Sequence, residues 1–133
     1  MDKIKLTRTG KTPLEFSGEQ IAEASTKWAA GKEQNRWHEI TVYRTKGGKY
    51  VAHVEYCTQW QGELGHSEAE PVDSLEAVAY FLQDYIPAAH VQGFPDRDEF
   101  RERQANLLNW LQRRWDDAVG EILAKLGATE TVE

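Results

Sequence analysis

Residues 36–57, RWHEITVYRTKGGKYVAHVEYC, decide the fold. Two runs rich in β-branched and aromatic residues flank Lys46-Gly47-Gly48, so about 37–45 and 49–58 read as the strands of one hairpin. The turn can close in two ways. A two-residue Gly47-Gly48 loop sets Val42 opposite His53 and mixes Ile40 and Val42 with His53 and Glu55 on one face. A three-residue loop puts Gly48 in the left-handed position of a bulged turn. Thr45 then faces Lys49, Thr41 faces His53 and Glu39 faces Glu55. One face becomes Ile40, Val42, Tyr50, Ala52, Val54 and Tyr56. The other becomes Trp37, Glu39, Thr41, Tyr43, Val51, His53, Glu55 and Cys57. The second register separates apolar from polar side chains, and on that ground it is preferred.

The polar row carries the sharpest chemical pattern in the chain. Like charges directly across a sheet repel, so Glu39 opposite Glu55 calls for a compensating partner. Two carboxylates and an imidazole suit a divalent metal such as Mn²⁺ or Zn²⁺, and a bound ion can activate water for hydrolysis. A metal site at Glu39, His53 and Glu55 is therefore one expectation. The plainer reading is a solvated outer face, which antiparallel sheets often have. No HExxH, CxxC or phosphate-cradling glycine loop accompanies the row. Of the other histidines, His38 falls on the apolar face as a hydrogen-bonded rim residue, His66 sits in Gly-His-Ser-Glu, and His90 lies in a loop. Cys57 is the only cysteine, which excludes an internal disulfide, and it reads as a structural thiol.

Outward from the hairpin, "KIKLTR" at 3–8 alternates as a half-buried strand, and Thr9-Gly10-Lys11 turns into a short strand with Leu14 and Phe16 on one face. Pro13 suits an edge or a strand start, because it lacks an N–H. Ser17 with Gln20 forms a capping box, Phe16 with Ile21 a hydrophobic staple, and Gly31 a stop. With Ile21, Ala24, Trp28 and Ala29 on one side, these signals predict a helix over 18–30. A fifth strand near 64–69 is weakly indicated. Asp73 or Ser74 caps a second, strongly apolar helix from Leu75 to Ile86 that Pro87 ends. Asp96 and Glu99 open a last, long helix ending near Gly127. Its apolar residues from Phe100 to Leu126 fall within an arc of about 120°. Unbroken, it extends about 45 Å, so it must bend at Gly120, project, or pack on another subunit.

These elements predict one α+β domain over 1–133: an antiparallel sheet of four to five strands packed with three helices. Residues 1–95 hold the sheet and two helices, and 96–127 the long C-terminal helix. At 133 residues the chain is long enough to bury a core without staples. The net charge is −6, but it is unevenly spread: residues 1–60 hold 10 Lys+Arg against 7 Asp+Glu, and residues 61–133 hold 6 against 15. That balance argues against general nucleic-acid binding. The N-terminus lacks the apolar core of a signal peptide and no long apolar run is present, so a cytoplasmic location is expected.

The function expected is that of a small non-catalytic binding or adaptor protein. It acts through protein–protein contacts and self-associates as a homodimer through the C-terminal helix. Trp110, Leu111, Trp115 and Ile122 are the interface residues, and no cofactor is required. The acidic stretch 63–84 is a surface for a basic partner. Two alternatives are a metal-dependent hydrolase at Glu39, His53 and Glu55, and a nucleic-acid-binding module on the basic N-terminal half. In the latter, Trp37, Tyr43 and Trp60 stack bases.

Overall fold

A computed structural model describes residues 1–27, 35–60, 62–91 and 97–127. Five strands run β1 Asp2–Arg8, β2 Lys11–Ser25, β3 Arg36–Thr45, β4 Tyr50–Thr58 and β5 His66–Val72, followed by helices α1 Leu75–Asp84 and α2 Asp98–Lys125. The strands form one antiparallel sheet in chain order, β1-β2-β3-β4-β5. The hairpin takes the segregating register, with Glu39 opposite Glu55 and Thr41 opposite His53. Its turn closes as the three-residue loop requires: Thr45 N–H donates to Lys49 O at 2.8 Å, and Gly48 has φ +86°.

The helix expected over 18–30 is a strand as far as Ser25, so the described residues hold two helices, not three; residues 28–34, including Gly31, lie outside them. The capping signals at Ser17 and Gln20 serve strand pairing instead. Ser17 O accepts from Lys46 N–H at 2.8 Å, and Gln20 pairs with Tyr43. A register shift between Gln20 and Ala22 breaks the two-residue period. Before this bulge Leu14 and Phe16 face one side; after it Ala22 and Ala24 face the other, opposite Val42 and Ile40. The broken alternation imitates a helical stripe, and β3's hydrogen-bonding edge overrides the helix preference of the Glu- and Ala-rich sequence. Gly18 is needed for the close approach to β3, because a Cβ there would lie 2.5 Å from Arg44 O. β2 is internal, not an edge, but its pairing with β3 begins at Gly18, which leaves Pro13 in the part paired only with β1.

The two sheet faces bury separate cores. Ala22, Ile40, Val42, Ala52 and Val54 lie under Val78, Leu82 and Tyr85 of α1 and Trp115, Ala118, Val119 and Ile122 of α2. The opposite face holds Leu6, Val51 and Ala69, flanked by Ile4, Leu14, Phe16 and Tyr43. That second core exists because the sheet curls until its first strand reaches its last. Thr9 N–H donates to Ser67 O at 2.8 Å, Ser67 N–H to Thr9 Oγ1 at 2.9 Å, and the Ser67 hydroxyl to Thr7 O at 2.6 Å. The face expected to be a solvated exterior is thus the inside of a curl, where Val51 and His53 are buried.

Ser74 caps α1 by accepting from Ala77 N–H at 3.1 Å, while Asp73 pairs with Lys49. α2 runs 28 residues, about 42 Å, without a break at Gly120. Asp96 lies outside the described residues, and the helix N-cap is Arg97. Every fully buried side chain of α2 lies between Leu111 and Ile122. Trp115 Nε1–H donates to Leu82 O at 3.0 Å and Lys125 Nζ to Glu23 O at 2.8 Å, which fasten this half to α1 and β2. No described helix is long and apolar enough to cross a membrane.

Candidate functional site

Alternation on β5 sends Ser67 and Ala69 into the curl and His66 and Glu68 to the helix-bearing face, where they pair with Tyr56 and Val54. After α1 the chain turns back twice, with Ala89 N–H donating to Ile86 O and Val91 N–H to Ala88 O. This return lays His90 on His66, with ring centroids 3.7 Å apart and planes 19° from parallel. His66 Nε2 stands 2.9 Å from Glu68 Oε1. Burial, and after it the neighbouring His66, push the His90 ring below the ordinary histidine range, and Glu68 offsets part of this. A cleft of about 340 Å³ between the ends of β1 and β5 borders His66 and Glu68 and leaves them open to solvent.

Beneath this cluster lies a buried polar chain. The Tyr56 ring is 6.1 Å from His90, and its hydroxyl donates to Glu63. Glu63 in turn receives Arg36 Nε at 3.0 Å and Nη2 at 2.9 Å, with both side chains almost fully enclosed. Burial raises the Tyr56 hydroxyl far above the usual phenol range, as does the Glu63 carboxylate. His38 follows, completely buried among Tyr56, Tyr85 and Trp115 with ring centroids 5.2–5.6 Å away. It was expected at a hydrogen-bonded rim; instead neither ring nitrogen closes a hydrogen bond among the described residues. Burial holds it neutral, with its pKa down to about 4 against a partial opposing effect of the Pro87 carbonyl.

The row singled out by the hairpin register does not converge. Glu39 is exposed, and His53 is buried with Nδ1 3.8 Å from Glu55 Oε1. Its Nε2 lies 2.9 Å from Ser67 Oγ, and because that hydroxyl already donates to Thr7 O, Nε2 carries the hydrogen. Burial lowers the His53 pKa and Glu55 raises it in part. Cys57 is half-buried, and burial with the Glu39 and Glu55 carboxylates pushes its thiol up to about 11, out of the nucleophilic range. Among the described residues one group brings three metal-ligating atoms within 4.8 Å of one another, and it is His66, Glu68 and His90. The sequence marks two of its members only by alternation on a weak strand, and the third arrives through a tertiary turn.

The expected interface residues divide. Leu111, Trp115 and Ile122 are taken up by the chain's own core, and Trp110 stays half-buried with Arg114 5.6 Å over its ring. The acidic stretch is likewise divided: Glu63 is buried on Arg36, Glu70 pairs with Lys11 and Asp73 with Lys49. The same pairs, with Lys3–Glu15, neutralise much of the basic N-terminal half. Comparison with protein-family models, with curated proteins and with solved structures returns no match.

Proposed function

We propose that this chain is a non-catalytic binding protein that pairs with a second copy of itself through the amino-terminal half of α2. The observation that carries the reading is the division of that helix. Its core-forming residues begin at Leu111, whereas Phe100, Leu107, Leu108 and Trp110, over about 15 Å of helix, are only half-covered. A second copy suits this segment because its charges balance: Asp98, Glu99 and Glu102 against Arg97, Arg101 and Arg103. Two such faces related by a two-fold axis meet without net repulsion. The absence of catalysis is supported by the committed Ser67 hydroxyl and the raised Cys57 thiol.

Sedimentation equilibrium tests the reading. The wild type should approach twice 15.2 kDa as concentration rises, and the double change Leu107→Glu, Leu108→Glu should hold it at 15.2 kDa with an unchanged far-ultraviolet spectrum. A wild type that stays at 15.2 kDa at high concentration refutes it.

A further inference from the structure

We propose that His66, Glu68 and His90 form a divalent-cation site that takes Zn²⁺ or a similar nitrogen-seeking ion. The inference is independent of self-association through α2, because the cluster lies on β5 and the turn after α1.

The donor set comes first. Two imidazoles and one carboxylate are a frequent three-ligand set for zinc, with a fourth position left to water. Three atoms no more than 4.8 Å apart leave a point within about 3 Å of all of them, and Zn–N and Zn–O bonds are about 2.0–2.2 Å. Rotation of the side chains about their own bonds supplies the difference. Charge comes second: the one carboxylate, Glu68, brings a single negative charge, which a divalent ion neutralises and exceeds. Access comes third: the cleft of about 340 Å³ reaches His66 and Glu68, and Lys11 beside it is held by Glu70 at 2.7 Å.

The stack itself makes the proposal specific. Imidazole lone pairs lie in the ring plane, so two rings 19° from parallel and 3.7 Å apart do not aim at one point. Metal binding must open the stack and break the 2.9 Å contact between His66 and Glu68. His90 is the ring that has to swing, since it stands on a turn while His66 is held by strand pairing. Ions that prefer oxygen, Mg²⁺ and Ca²⁺, gain little from two nitrogens.

The test uses the full chain without a histidine tag, titrated with ZnCl₂ and followed by calorimetry and by the imidazole ¹⁵N resonances. We expect saturable binding at one ion per chain, shifts at His66 and His90 with His38 and His53 unmoved, and no response to MgCl₂. His90→Ala and Glu68→Gln, both at partly exposed positions and checked for an unchanged far-ultraviolet spectrum, should each weaken zinc by at least about tenfold, while Glu55→Gln leaves it unchanged. Zinc that moves neither His66 nor His90, or that binds equally well to His90→Ala, overturns the proposal. Loss of binding in Glu55→Gln overturns it in favour of the hairpin row. Because monomer and dimer are equally able to present the cluster, a monomeric wild type leaves this outcome untouched.

Discussion

At the scale of single residues, His38 is the position where burial and chemistry conflict most. An imidazole enclosed by three aromatic rings, neither nitrogen of which closes a full hydrogen bond among the described residues, stays neutral down to about pH 4. In the unfolded chain the same ring takes up a proton near 6.5. Between those values the unfolded state binds more protons, so stability is full above about 6.5 and falls as pH drops toward 4. The shift corresponds to on the order of 3 kcal/mol at the acid end. His53 and His90 are displaced in the same direction and add to the slope. Urea midpoints across this range should therefore drop steeply for the wild type and much less for His38→Leu, and parallel curves for the two would disprove the assignment. The sequence conveyed that His38 faces the apolar side, because strand alternation fixes the face. It did not convey depth, which depends on helices arriving from 40 and more residues away, as Tyr85 and Trp115 do.

At the scale of elements, α2 and β2 mark the two limits of local reading. The apolar arc and the length of α2 were legible, since a 3.6-residue period over many turns has few competitors. Its continuity through Gly120 was not legible, because a glycine costs a helix about 1 kcal/mol and neighbouring packing can absorb it. A Cβ at Gly120 would meet nothing within 4 Å, and the position is exposed. Gly120→Ala should thus stabilise the protein by about 0.5–1 kcal/mol and raise the thermal midpoint by a few degrees in a calorimetric scan. A lowered midpoint would mean that the helix needs flexibility there. β2 was misread because its bulge changes which residues face which core, and a one-residue change of phase is invisible to a pattern of spacing. His66 and Glu68 suffered similarly, since β5 alternates too weakly to announce itself.

At the scale of the whole molecule, the hairpin register was recovered from the sequence but the curl was not. Alternation tells which side chains share a face, and it is silent on whether that face bends. Once β1 meets β5, the polar row becomes an interior, His53 is spent on Ser67, and the metal-ligating geometry moves to the other side of β5. The proposed pairing through α2 belongs to this scale too, because it follows from the buried side chains of the helix being confined to Leu111–Ile122.

Sheet order that repeats chain order also bears on how the molecule folds. Every strand pair in the ladder joins chain neighbours, so most of the sheet can zip through short loops, which favours speed. The seam between Thr7, Thr9 and Ser67 spans about sixty residues and gains nothing until the rest is in place. It should therefore close after the rate-limiting barrier. Ser67→Ala, which removes the hydroxyl shared by His53 and Thr7, should hasten unfolding in a stopped-flow chevron and leave the refolding limb where it was. A slowed refolding limb would instead put the seam in the nucleus, and the curl would then be the first part of the architecture to form.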